Sequence, residues 1–173
     1  MEADDDKRAE YLKNIQEIPL DKRVYIDESG LEMNLVKERG WAKVGARLIG
    51  KKSGKYYQRT NIVAGYVNKR HIAPLLFKKT CNSELFNQWL AKELLPALKP
   101  GQVVIMDNAQ FHKSEKTKEL IKKAQCKLLY LPAYSPDLNP IEKYWAKMKR
   151  WLRENRDRFN SLLDALNHFL VVT

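Results

Sequence analysis

The stretch Leu131-Pro132-Ala133-Tyr134-Ser135-Pro136-Asp137-Leu138-Asn139-Pro140-Ile141-Glu142 decides how the chain is read. Pro132, Pro136 and Pro140 keep it extended or turning, because each fixes its own φ and disfavours helix in the residue before it. Asn139 is then placed to cap a helix, with Pro140 at its first position, where a missing N–H costs nothing. Glu142 falls at the third helical position, and two readings are open there. A capping box would send its carboxylate back to the Asn139 N–H. Alternatively, a rigid loop presents that carboxylate to a metal ion, alongside acids from elsewhere in the chain.

Such acids exist. Val103-Val104-Ile105-Met106 is a short apolar run ending in Asp107-Asn108, the pattern of a buried strand with a carboxylate at its C-terminal end. Open α/β sheets place their ligands outside those strand ends. Arg23-Val24-Tyr25-Ile26-Asp27-Glu28-Ser29-Gly30 is a second strand, with an acid inside its β pattern. An acid there is costly unless it is paired or bound to a cation. Asp27, Asp107 and Glu142 thus sit on two strands and a helix start, with 34 residues between the last two.

Three blocks carry a resemblance. YIDESG (25–30), VVIMDNAQFHKS (103–114) and LPAYSPDLNPIEKYWAKMKR (131–150) resemble the catalytic blocks of mariner-type DDE transposases, in the bacterial insertion-sequence branch. That branch has the same Asp/34-residue/Glu spacing, and the likeness runs from Arg23 to Trp151. It implies that Asp27, Asp107 and Glu142 are at once the catalytic triad and the metal ligands. Asp27 is expected to bridge two Mg²⁺ or Mn²⁺ ions, with Asp107 on one and Glu142 on the other. The implied activity is DNA strand cleavage and strand transfer in cut-and-paste transposition. Its partners would be transposon ends, target DNA and a second copy of the chain in the active complex. The implied location is the bacterial cytoplasm, at the nucleoid.

Composition agrees with a nucleic-acid partner. The 173 residues are 44% hydrophobic and 10% aromatic, which suits one domain with a full core and argues against disorder. Net charge is +11, a footprint that favours a polyanion. Cys81 and Cys126 form no CxxC pair and read as thiols of a reducing compartment. No apolar run is long enough to span a membrane, and the N-terminus has no signal-type apolar segment.

In chain order, residues 1–20 read as a helical lead-in, with Tyr11, Leu12, Ile15 and Ile18 at helical spacing and a break at Pro19. Residues 21–173 read as the ribonuclease-H-like catalytic domain. The segments 59–67 and 71–77 pair with the first strand as an antiparallel meander. Asn82 or Ser83 caps a helix to Leu98, and Ser114 caps one to Ala124. A fifth strand covers 127–131. The helix of Glu142 buries Ile141, Trp145, Met148 and Leu152, and a last helix over 159–171 buries Leu162, Leu163, Leu166, Phe169 and Leu170. The expected fold is α/β: a mixed five-stranded sheet, three antiparallel strands then two parallel, flanked by helices. The fold analogy sets the first strand beside the fourth, which makes neighbours of Asp27 and Asp107.

Weaker assignments surround the triad. Lys51, Lys52 and Lys55, in a glycine-punctuated loop, and Lys143, Lys147 and Arg150, on the Glu142 helix, are the candidate DNA contacts. The GKKSGK run lacks the GxxxxGK[ST] spacing of a phosphate loop. His112 is expected to touch a phosphate, orient a ligand or sit satisfied in its loop. Glu28 points to the strand face opposite Asp27 and reads as structural or as a surface pair. Asp137 is expected to support its loop through an Asx turn. Trp41, Tyr134 and Trp145 read as packing residues.

Two rivals to the transposase reading remain: another ribonuclease-H-like metal-dependent nuclease, and a non-catalytic, domesticated nucleic-acid-binding protein whose acids are caps and surface charges. Mariner-type transposases carry helix-turn-helix modules before the catalytic domain, and twenty residues are too few for one. The chain is therefore expected to be a catalytic piece that binds DNA through phosphates with little sequence preference.

Overall fold

The computed structural model describes residues 4–31, 43–45, 60–78 and 80–172. Its framework follows from two kinds of strand. β1 (Arg23–Leu31), β2 (Thr60–Val67) and β3 (Arg70–Phe77) pair antiparallel in sequence order, and β4 (Val103–Met106) and β5 (Lys127–Tyr130) add in parallel on the other side of β1. The sheet order is β3-β2-β1-β4-β5. All four residues of β4 are buried, as expected of a parallel strand covered on both faces. This is the mixed ribonuclease-H-like sheet that the sequence predicts.

Successive side chains of β1 divide between the two layers. Tyr25 packs with Tyr11 and Ile15 of α1 (Asp5–Gln16), and Leu31 with Trp145, Met148 and Leu152 of α5 (Ile141–Asn155) and Leu166 and Phe169 of α6 (Leu162–Val172). Ile26 packs with Phe86 and Trp89 of α2 (Ser83–Trp89) and Ile121 of α4 (Glu115–Lys123), on the opposite side. Asn82 caps α2 by accepting from the Leu85 N–H at 2.9 Å, and Ser114 caps α4 by accepting from the Thr117 N–H at 3.1 Å.

Two local features escape the periodicity. The helix begun by α2 widens to a π turn at Leu90–Leu94, where the Leu95 N–H bonds to the Leu90 carbonyl, and resumes as α3 (Leu95–Ala97). Pro96 lies just beyond, and a proline without an N–H clashes with the preceding turn unless the helix adjusts. In β3, the pairing with β2 slips between Val63 and Gly65, and Ala73 takes a φ of 50°. Such a bulge on an edge strand accommodates Pro74, which has no N–H for a ladder. Trp89 holds the bulge from inside, donating its indole N–H to the Ala73 carbonyl at 2.7 Å.

The helix ends also bring corrections. α5 begins after Pro140 with no side-chain cap, and Asn139 Oδ1 is buried without a hydrogen-bond partner. The Asn139 N–H already serves the Pro136 carbonyl at 3.0 Å, so no capping box forms with Glu142. In α6, Leu162, Ala165, Leu166 and Phe169 form the buried stripe, and this phase leaves Leu163 52% exposed instead of buried. Asp137 forms no Asx turn: its carboxylate is clamped by the Arg8 guanidinium at 3.0 and 2.6 Å, tying α1 to the proline loop.

Trp89→Phe removes the donor to the bulge together with part of a fully buried ring. It should lower stability by about 2–4 kcal/mol, measured by urea unfolding. Wild-type stability in that variant would show that the bulge does not depend on the indole.

Candidate active site

Asp27 lies on the β1 face that carries α5. The parallel register of β1 with β4 runs to Tyr25 beside Ile105, and two further residues along each chain bring Asp27 level with Asp107. α5 crosses the same face, and Trp145 donates its indole N–H to Asp27 Oδ2 at 3.1 Å. Glu142, exposed on the first turn of α5, bears on this carboxylate electrostatically. Burial first, then the negative charges of Glu142 and Glu28, push the Asp27 pKa up to about 7. Glu142 itself makes no side-chain hydrogen bond among the described residues.

Asp107 follows β4 directly, and its carboxylate is held differently. Oδ1 accepts from the Ala109 N–H at 2.9 Å and from His112 Nδ1 at 2.6 Å. His112 is fully buried, and its Nε2 stands 3.1 Å from Glu28 Oε1. Each ring nitrogen faces a carboxylate oxygen, so each donates. Burial alone would lower the His112 pKa, but the hydrogen bonds to Asp107 and Glu28 outweigh it and raise the value to about 9. Burial likewise pushes Asp107 up, and the bonds from His112 and Ala109 overcome it and hold the carboxyl below its ordinary range.

The acids therefore form two groups, joined where Asp107 leaves the end of β4. Asp27 and Glu142 lie on the α5 side of β1, and Asp107 is linked through His112 to Glu28, which leaves β1 on the other side. Among the described residues, no three His, Cys, Asp or Glu side chains converge closely enough to enclose a metal ion. Asp107 Oδ2 nevertheless takes part in no hydrogen bond among these residues, and the Asp107 side chain is 52% exposed.

The proline loop is fastened at its start, on both sides of Leu131. The Leu131 N–H donates to the Met106 carbonyl at 2.9 Å, and the Asn108 amide donates to the Leu131 carbonyl. Tyr134, expected to pack, is instead 64% exposed at a φ of 55°, where it turns the loop. Full burial leaves His112 no face for a DNA phosphate. Lys143, Lys147 and Arg150 are exposed along α5, whereas Lys51, Lys52, Lys55 and Trp41 lie outside the described residues. Sequence reasoning missed Trp145 as the partner of Asp27 and Glu28 as the partner of His112.

A profile of the DDE superfamily endonuclease family matches residues 22–164, most of the chain. The chain belongs to that family. Its similarity to the Transposable element Tc3 transposase of Caenorhabditis elegans is 48% identity over 44 residues, covering 25% of this chain and 13% of that protein. Its fold is similar to that in the Mos1 transposase paired-end complex with left transposon end, with a TM-score of 0.78 and 20% identity, covering 97% of this chain and 53% of that one. The Mos1 mariner paired end complex with Mn gives a TM-score of 0.79 at 20% identity, covering 100% of this chain and 57% of that one. This DDE endonuclease-family chain thus spans about half the length of these two Mos1 chains. All three expected acids lie within the family match.

A carboxyl group whose pKa rises on folding keeps its proton better folded than unfolded. Asp27 should therefore cost the metal-free chain stability as pH climbs from 3.8 through about 7. Asp27→Asn removes that loss. In chelator, its stability relative to wild type should grow by about 2–3 kcal/mol between about pH 5 and about pH 8, read from urea midpoints. A constant difference across that window would show that Asp27 titrates normally.

Proposed function

We propose that this chain is the catalytic domain of a mariner-type DNA transposase, which cuts and joins DNA by metal-dependent phosphoryl transfer. The observation that carries the reading is the placement of Asp27, a half-buried acid inside a strand that accepts from Trp145 at 3.1 Å on the helix that also presents Glu142; the charges that act on it are negative, so a cation is the natural resident. The family match over 22–164 supports it, as does the fold shared with mariner transposase complexes.

The donor set fits a hard divalent ion such as Mg²⁺ or Mn²⁺, because all three candidate ligands offer carboxylate oxygens. Asp27, Glu142 and the uncommitted Oδ2 of Asp107 would hold it. A pair of such ions, when bound, activates the attacking oxygen and stabilises the leaving one in an in-line displacement. The chain's own work is positional. Trp145 orients Asp27, the 3₁₀-like first turn of α5 presents Glu142, and the fastened proline loop keeps that turn over the sheet. Lys143, Lys147 and Arg150, at helical spacing on the exposed side of α5, are the cations offered to DNA phosphates. Transposon ends and target DNA are the proposed substrates, and a second copy of the chain the proposed partner in the active complex. Among the described residues no helix is long and apolar enough to cross a membrane; for a chain acting on DNA we place the work at the bacterial nucleoid.

Two experiments test the reading. Asp27→Ala, Asp107→Ala and Glu142→Gln should each lower Mn²⁺-dependent nicking of plasmid DNA on the order of a hundredfold or more, with circular dichroism unchanged. Glu142→Gln is the sharper variant, because glutamine keeps the size and the helical fit and loses only the anionic ligand. Wild-type nicking by any of the three removes that residue from the site. Separately, replacing Lys143, Lys147 and Arg150 together with Gln should flatten the salt dependence of DNA binding. Counterion release at three phosphate contacts corresponds to about a 40-fold loss of affinity between about 50 and about 200 mM salt. An unchanged salt slope would move the DNA path away from α5.

A further inference from the structure

We propose that His112, braced from behind by Glu28, is a positioning residue for Asp107, and that the Glu28–His112–Asp107 chain limits Asp107 to one ligand oxygen, Oδ2. The proposal rests on the reading of Asp107 as a metal ligand. It assigns to Glu28 and His112 a role in setting metal affinity, without contact to DNA or metal.

The geometry is over-determined. Asp107 leaves the end of β4 and enters a segment without strand or helix hydrogen bonding, where a carboxylate would rotate freely. Two donors stop it: the Ala109 N–H and His112 Nδ1 both engage Oδ1, at 2.9 and 2.6 Å. The imidazole has no freedom of its own. Its ring centroid lies 4.4 Å from that of Phe86 and 4.3 Å from that of Phe111, its backbone N–H donates to the Ala109 carbonyl at 3.1 Å, and its carbonyl accepts from the Tyr130 hydroxyl at 3.2 Å. Glu28 closes the chain at Nε2, 3.1 Å away.

Glu28 directly follows Asp27 on β1, so the two side chains leave the strand on opposite faces. One strand thus supplies the proposed ligand Asp27 on one side and the brace for Asp107 on the other. Any shift of β1 relative to β4 would disturb both. A histidine satisfied merely for packing would not need a carboxylate on each nitrogen. Partners of this kind behind a ligand commonly change metal affinity by 10–100-fold when removed.

The test is calorimetric titration of Mn²⁺ into the metal-free 173-residue chain, with thermal unfolding of each variant recorded in chelator. His112→Ala should weaken Mn²⁺ binding by about 10–100-fold. His112→Asn, whose amide nitrogen stands near the place of Nδ1, should recover affinity to within about threefold of wild type, because that nitrogen can again donate to Asp107 Oδ1. His112→Gln, which reaches toward Glu28 and not toward Asp107, should behave like His112→Ala. If His112→Ala fails to fold, the Asn and Gln pair carries the comparison. Equal Mn²⁺ affinity in His112→Asn and His112→Gln overturns the proposal, as does wild-type affinity in a folded His112→Ala whose melting temperature alone has dropped. Asp107→Ala separates the two levels: if it binds Mn²⁺ as wild type does, the metal-ligand reading of Asp107 fails instead.

Discussion

The parallel pairing of β1 with β4 sets the geometry of the candidate site. Val24 beside Val104 and Tyr25 beside Ile105 fix the relative height of two strands that are far apart in sequence. With that height set, the first acid after the ladder on each strand falls at one level. The same pairing decides which residues of β1 face which helical layer. Because strand side chains alternate, a slip of one residue would send Asp27 to the α2 side and Glu28 to the α5 side. The apolar residues of β1 hold the register, since such a slip would also turn Tyr25 and Leu31 away from their cores.

On this frame the protein keeps like charges close and manages them in two ways. On one face Asp27 accepts a hydrogen bond from Trp145, and burial first, then the negative charges of Glu142 and Glu28, push its pKa up to about 7. On the other, Asp107 and Glu28 share the imidazole of His112, which offsets their charge and keeps Asp107 ionised. The first arrangement leaves a demand for a cation. The second fixes a carboxylate whose remaining oxygen is open. In the proposed reading the two together make a site that is half prepared by protein hydrogen bonds and that a divalent ion would complete, in keeping with a DDE endonuclease-family chain.

Much of this was readable from the amino-acid sequence. The sheet was legible because β4 is uniformly apolar and because β1 to β3 follow one another with turn residues between them. The expected acids were legible because an acid in a β pattern, an acid at a strand end and an acid after a proline loop are each conspicuous. What stayed hidden depended on competition between neighbours. Asn139 has the composition of a cap, yet Pro136 takes its N–H and its side-chain oxygen is buried without a partner. Leu163 fits a helical stripe until the phase of α6 is set by Leu162 and Phe169. The π turn before Pro96 and the bulge at Ala73 answer prolines whose cost depends on the surrounding chain. Glu28 and His112 are 84 residues apart, and no local pattern joins them.

The central claim is that Asp27, Asp107 and Glu142 hold divalent cations. The most direct measurement is anomalous diffraction from crystals of this chain grown or soaked with Mn²⁺. Manganese is expected within coordination distance of Asp27 and of at least one of Glu142 and Asp107, with His112 still bonded to Asp107 Oδ1. Manganese absent from all three acids at saturating concentration, in crystals where the sheet and α5 stand as described here, would contradict it.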